Sequence, residues 1–582
     1  MKKQTSALQS IIQLALLIGI AIFANILASF YYSDYDLTED KRFTLTEATY
    51  RLIDNLDDVV SIEIYLEGEF PSSFKHLQSA LKDILDEFRS RTDMIQYRFV
   101  DPLAGNEEER NNMVESLRKK GIMPVNLTIN TKGARGTKQI FPSAIIRYKN
   151  THSIVNLLEN FGGVNSDYSN TEKMNTSINL LEYKLASGIQ TLQRTIRPKV
   201  LILAGHGELR GPFIQSFRQE LNKHYSTDLL DLNNVAKIDT AIDVLIIPKP
   251  RGPMGDKHLF MIDQYVMNGG NVIWLIDRVK METDSLRGKS FYIPNEYPLD
   301  IHDMLFNYGV RINTKMALSW DCSNIKLEVG MVNNQPQTEL RKWFYYPVAK
   351  PYTRPKDAYL TGHSTIQHPI VKNINEVWTQ YPTTLDTLIT RTPIKKTILL
   401  RTAKYSKYQM PPVRIGFDII DVGIGQDAFN KGHQDIAVLL DGQFESHFRN
   451  RVPPEMLAEL QRIGQPFLEK SKSAGKMLVV SDGDFIKNDI DFKKQILYPL
   501  GLNSADNKFY DNNDFILNTI QYMVDKDGII AARAKKITLR PLDQDRAYRE
   551  ETKWRMINLV LPLVILGLFG FVYTFVRRKR FG

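Results

Sequence analysis

Apolar positions follow three patterns along the chain. Ile11 to Phe30 is a nearly unbroken apolar run, interrupted only by Gln13, Asn25 and Ser29, and Met556 to Val576 is a second, interrupted by Asn558, Thr574 and Pro562. At about 1.5 Å of rise per residue, each predicts a helix of roughly 30 Å, which matches the hydrocarbon core of a bilayer. Pro562 is compatible with such a helix, because neighbouring groups in a membrane satisfy the freed carbonyl. Between the runs, residues 34–165 alternate and then switch to a helical period. Val59 to Leu66 predicts a strand, and Ser72 or Ser73 the N-cap of a helix carrying Phe74, Leu77, Leu81, Ile84, Leu85 and Phe88 on one face. A second strand (Ile95 to Val100), a second helix (Glu107 to Lys120), a third strand (Val125 to Ile129) and a hairpin-like pair (Gln139 to Tyr148, Ser153 to Leu158) complete a β-α-β-α-β-β order. That order is thioredoxin-like, and the absence of any C-x-x-C limits the expectation to a scaffold without redox chemistry.

One apolar stripe of Ile178, Leu181, Leu185, Ile189 and Leu192 predicts a linking helix within residues 170–196. From Pro198 the pattern becomes continuous apolar runs separated by helical stretches. The runs are Val200–Leu203, Asp243–Pro248, Asn271–Asp277, Ile436–Leu440 and Met477–Val480. Runs buried on both faces predict a mainly parallel sheet, giving residues 197–530 the expectation of a Rossmann-type α/β domain like that of class I glutamine amidotransferases. Residues 285–431, richer in Pro, Tyr and Thr, read as a β-rich insertion in it. The expected organisation is a tail (1–10), a membrane helix (11–31), the first domain (34–165), the linking helix (170–196), the sheet domain (197–530), a stalk (531–555), a second membrane helix (556–576) and a basic tail (577–582).

Charge orients this arrangement. Lys2 and Lys3 precede the first apolar run, and Asp34, Asp36, Glu39 and Asp40 follow it; Arg577, Arg578, Lys579 and Arg580 follow the second. The positive-inside rule then puts both tails in the cytoplasm and the body outside it, with Tyr31, Tyr32 and Trp554 at the interfaces. A cleaved signal peptide is the alternative for the first run, but that run exceeds a usual h-region and Ala28 offers only a loose cleavage site. Cys322 is the single cysteine, so no intramolecular disulfide forms, which suits a bacterial periplasm. The net charge of +9 includes the basic tails. Arg533 to Lys536 reads as solvated surface, no nucleic-acid motif accompanies it, and nucleic acid is not an expected partner.

Candidate chemistry is sparse. Gly288-Lys289-Ser290 ends like a P-loop, yet Thr283 stands where its first glycine belongs, which argues against ATP binding. Gly362-His363-Ser364-Thr365-Ile366 approaches a nucleophile elbow but closes on Ile366. Cys322 reads as a packed thiol, and the histidines lack metal-ligand spacing, so no metal or cofactor is expected. What remains is His206 and Glu208 in Gly205–Leu209, Asp277 ending one strand run, and Asp482 and Asp484 following another. Loops at the carboxyl ends of parallel strands hold ligands in α/β sheets, which makes these five a candidate ligand-binding set. The alternative is that they build turns and helix caps.

Tyr35–Thr46, Ile178–Leu192, Gly205–Leu209, Asp243–Pro250, Ile262–Asp277, Leu439–Pro453, Ser481–Phe485 and Lys536–Asp543 together resemble, in order, segments of the gliding-motility-associated ABC-transporter auxiliary family, GldG, often labelled substrate-binding. The resemblance implies a protein of the inner membrane of Bacteroidota that works with a GldF-like permease and a GldA-like ATPase. It brings no catalytic or ligand residues. The expectation is thus a non-catalytic, membrane-anchored subunit whose periplasmic body couples to a transporter and can meet an unidentified ligand. Two alternatives stand beside it: a membrane-tethered hydrolase or amidotransferase-like enzyme, and a structural scaffold of the gliding machinery.

Overall fold

The computed structural model describes residues 12, 15–26, 44–68, 70–131, 134–159, 171–194, 196–332, 335–352, 367–421, 423–534 and 544–581. The chain separates into two units, Met1–Lys535 and Lys536–Gly582. Residues 1–10, most of Tyr35–Thr46, Gly362–Ile366 and Lys536–Asp543 lie outside the described residues.

In the first unit, Val60–Ile64 runs parallel to Ile95–Phe99 and antiparallel to Ser143–Tyr148, which pairs with Thr151–Asn156. The helix Ser72–Arg91 joins the two parallel strands and buries Phe74, Leu77, Leu81, Leu85 and Phe88 at spacings of three and four. Its N-cap is Pro71 instead of the expected serines, and a prolyl ring has no oxygen to offer the first turn. The helix Glu107–Lys119 starts on a capping box, with Asn106 Oδ1 accepting from Glu109 N at 2.9 Å and Glu109 Oε2 accepting from Asn106 N at 3.0 Å. Val125–Thr131 does not join this sheet but pairs with Ala134–Ile140 as a separate hairpin. The expected strand from Gln139 to Tyr148 is divided at Phe141-Pro142, where proline has no N–H for a ladder. The linking segment forms two helices, Thr171–Asn179 and Leu181–Gln193.

A 10-stranded sheet dominates the unit. Ser226–Asp231, Lys199–Ala204, Val244–Pro248, Asn271–Leu275 and Gly475–Val480 are parallel neighbours in that order. Asp435–Gly442, Ile394–Arg401, Gln335–Pro351 and Cys322–Val332 continue it antiparallel, with Val377–Trp378 beside Gln335–Pro351. The sheet is therefore mixed, where the apolar runs predicted a mainly parallel one. Burial explains the difference. Alternate residues of the central strands enter two separate cores: Leu201, Leu245, Trp274, Val438 and Val479 one, Ile202, Ile246, Ile273, Leu439 and Leu478 the other. A strand buried on both faces reads as continuously apolar whichever way its neighbour runs. The 285–431 region contributes antiparallel strands to this same sheet, and also a three-stranded sheet of Thr383–Thr387, Val310–Ser319 and Ser406–Gln409.

The second unit is the helix Gln544–Phe581, with Pro562 inside it. Its stretch Arg549–Lys579 is, among the described residues, the one helix long and apolar enough to cross a membrane. The described part of the first apolar run, Ala15–Ile26, is a shorter apolar helix, and its side chains are exposed.

Candidate functional site at the carboxyl ends of the parallel strands

The strand Val244–Pro248 is buried at every position, and Lys249 follows it in the left-handed region at φ 53°. Lys249 N donates to Leu275 O at 2.8 Å, which keeps the residue against the sheet and turns its side chain inward. That side chain is 0% exposed. Its Nζ lies 2.5 Å from Asp484 Oδ2, 3.0 Å from Asp277 Oδ2 and 3.1 Å from Glu282 Oε1. Burial opposes the ammonium, yet Asp277, Asp484 and Glu282 outweigh it and hold Lys249 well above its ordinary value.

Each carboxylate answers differently to the same pocket. Burial pushes Asp484 upward, but Lys249, and Lys487 with Nζ 3.3 Å from Oδ1, bring it down to about 2. Asp277, which accepts from Gly483 N at 2.5 Å, is pushed up to about 6 by burial, with Lys249 opposing and Asp484 adding. Glu282 ends below the ordinary range because Lys249 outweighs its burial. Asp482 has no lysine of its own. Burial, Asp277 and Asp484 hold it well above the carboxylate range, while its oxygens accept from Gln380 N at 2.8 Å and Asp484 N at 2.9 Å. The cations Lys249, Lys487 and Arg251 thus face the carboxylates of Asp484, Glu282 and Asp277, with Asp482 held toward its protonated form. A Cβ on Gly483 would stand 2.8 Å from Lys249 Cγ and 3.0 Å from Asp277 Cγ, so glycine is what lets the loop close over the lysine.

His206 and Glu208 form a second group on the neighbouring loop. Gly205 and Gly207, at φ 120° and 82°, fold that loop back on itself. Glu208 accepts from His206 N at 2.6 Å, and His206 Nδ1 stands 3.0 Å from Glu208 Oε1. A carboxylate only accepts, so that imidazole nitrogen carries the proton. His206 Nε2 meets His258 Nδ1 at 2.8 Å, and burial, then His206, then Lys257 hold His258 below its ordinary value. Arg251 joins the two groups. Its backbone N donates to His206 O at 2.9 Å, and its Nη2 stands 3.0 Å from Glu282 Oε1.

All five predicted residues therefore meet at the carboxyl ends of the parallel strands, in two hydrogen-bonded groups bridged by Arg251. Lys249, Arg251, His258 and Glu282 belong to the same arrangement and were missed. Lys249 carried a signal, a lysine directly after a wholly apolar strand. His258 lies 52 residues from His206, beyond any motif spacing. Ser481 Oγ lies within hydrogen-bond reach of Ile436 O, at 3.1 Å, and of Thr383 O, and burial pushes the Cys322 thiol up to about 12. Among the described residues, no group of three or more His, Cys, Asp or Glu is placed to hold a metal.

The family model described as an ABC-type uncharacterized transport system matches residues 197–519. A domain of unknown function, DUF7088, matches residues 39–147. No curated protein matches. A solved structure described as "mmIFT52 N-terminal domain" is similar over 56% of this chain and 98% of its own, at 11% identity and a TM-score of 0.29, a likeness too slight to carry an argument.

Proposed function

This chain belongs to the family of ABC-type uncharacterized transport systems, and from that premise we propose that it is a GldG-like auxiliary subunit of a transporter associated with gliding motility. Its body stands on the periplasmic side of the inner membrane, held by two spans with both termini cytoplasmic. A GldF-like permease and a GldA-like ATPase are its partners. The family match over residues 197–519 is the observation that carries this reading, because it covers the whole 10-stranded sheet and the strand-end cluster.

The chemistry at the strand ends supports a non-catalytic role. A general acid or nucleophile needs a group free to meet a substrate. Here Lys249, Asp277, Asp482 and Asp484 are each at most 4% exposed and are already paired with one another or with backbone N–H groups. We read that cluster as the strut that fixes the loops of the sheet, and the order of the first four-stranded sheet as a thioredoxin-like scaffold beside it. Helix Arg549–Lys579 supports membrane attachment.

The test is affinity purification of the full chain in mild detergent, with identification of co-purifying membrane proteins. A permease and an ATPase are expected in the complex, and no ATP hydrolysis from the subunit alone. Recovery as a lone monomer overturns the reading.

A further inference from the structure

A cavity of about 410 Å³ lies away from the strand-end cluster, where the Thr151–Asn156 strand and the Leu181–Gln193 helix meet the Asn512–Val524 helix. Polar contacts tie this seam together: Tyr183 OH donates to Gln521 Oε1, Gln521 Nε2 to Ser187 Oγ at 3.0 Å, and Gln190 Nε2 to Asp527 Oδ2 at 2.7 Å. The lining is rich in charge, and pairing within it is uneven. Glu220 holds Lys223 with both oxygens at 2.7 and 2.8 Å, and Glu159 holds Lys184 at 3.1 Å. Arg194, Arg197 and Arg533 also line it, and Glu159 and Asp514 are the carboxyls that feel the Arg533 charge.

Arg533 is 5% exposed, its Nε has no hydrogen-bond partner, and its guanidinium lies over the Tyr183 ring at 4.8 Å. Its Nη2 donates to Lys372 O at 3.4 Å, and the guanidinium also acts on the Tyr183 hydroxyl. A buried donor without an acceptor is costly, so this group is poised for an acceptor from outside the chain. We propose that the cavity binds a small organic anion, whose carboxylate or phosphate is seated on Arg533 with Arg194 and Arg197 nearer its rim.

Asp514 does not serve as the missing counter-ion. Burial, then Glu159 and Asp511, push its carboxyl up to about 7, against Arg533 and Lys184. Near neutrality it is half protonated, and its ionisation sets it against an incoming anion. The groups facing it are Glu159 after the Thr151–Asn156 strand, Lys184 on the linking helix, Arg533 on the Ile529–Ala534 turn and Asp511 ahead of its own helix. Anion binding is therefore stronger at pH 6 than at pH 8.

The experiment uses the full chain in detergent, titrated with phosphate, acetate, succinate or glutamate at constant ionic strength against chloride, and followed by calorimetry and thermal unfolding. At least one anion is expected to bind saturably. Arg533→Gln weakens that binding at least about tenfold, as loss of a charge-assisted hydrogen bond requires. Thr191→Trp, at an exposed position of the lining, blocks the cavity without disturbing the core and decides the matter if the arginine variant does not fold. For acetate and glutamate, whose own charge is constant between pH 6 and pH 8, Asp514→Asn removes the pH dependence. Absence of saturable binding for all four anions, or binding unchanged in the folded variants, overturns the inference. Binding is read on the isolated subunit, so the outcome is independent of whether a permease co-purifies.

Discussion

Lys249 shows what a buried charge demands of its surroundings. Replacing it by methionine leaves Asp277 without its cation, and Asp484 and Glu282 with only Lys487 and Arg251 beside them, and breaking a buried pair in this way costs about 3–5 kcal/mol. Lys249→Met is expected to lower the unfolding free energy by that order, measured by urea denaturation of the full chain in detergent. Asp482→Asn removes a carboxyl that takes up a proton on folding, at the cost of one accepting atom, because both Asp482 oxygens accept from backbone N–H groups and an amide nitrogen cannot. The two proteins then differ in their pH dependence. Asp482 has a folded pKa raised above its unfolded value, so between the two the native state binds more protons and its stability falls as pH rises. The stability of Asp482→Asn relative to the natural chain should therefore increase from pH 4.5 to pH 7.5; an unchanged difference would show that Asp482 is not held protonated. The aspartates were legible because strand ends followed by Asp and Gly are recognisable locally. Their lysine partner was not, since 235 residues separate Lys249 from Asp484 and a lysine after a strand is ordinarily solvated.

Elements were legible where one periodicity dominated. The Ser72–Arg91 helix and the central strands follow their apolar patterns closely, and the Asn106 capping box fixes the start of Glu107–Lys119. Strand direction was not legible, because burial on both faces erases the alternation that separates antiparallel from parallel neighbours. Ser226–Asp231 escaped for the opposite reason: it is an edge strand in which only Leu230 is buried. The junction after the Gly255–Met267 helix is tighter than its sequence suggests. A Cβ on Gly270 would lie 2.3 Å from Tyr265 Cζ, and the ring cannot retreat easily because its hydroxyl donates to Ile242 O at 3.1 Å. Gly270→Ala is expected to destabilise by roughly 1–3 kcal/mol through overpacking. A denaturation midpoint equal to the natural chain's would show that the junction can give.

At the scale of the whole molecule, family membership rests on the sheet domain and membrane attachment on the apolar helix Arg549–Lys579. The proposed topology has a direct readout because Cys322 is the single cysteine. In a Cys322→Ser background, Ile389→Cys stands at a fully exposed position of the body and is expected to react with a membrane-impermeant maleimide on intact spheroplasts. Lys2→Cys and Lys579→Cys should react only after the membrane is opened. The reverse pattern would put the body in the cytoplasm. The apolar C-terminal helix and the transport-system family were legible because composition and ordered segments carry them. The charged seam cavity was not, because its lining comes from residues 153 to 533.

The strand Gly475–Val480 lies between the parallel and antiparallel halves of the sheet, with Asn271–Leu275 on one side and Asp435–Gly442 on the other. A nascent chain that has emerged only as far as residue 470 therefore carries an open apolar strand edge, and a lysine whose nearest counter-ion, Asp484, has yet to be synthesised. Long-range pairing of this kind slows folding and leaves sticky intermediates. The large sheet closes only after its late strand arrives. A chain terminated early leaves that edge unpaired and prone to aggregation.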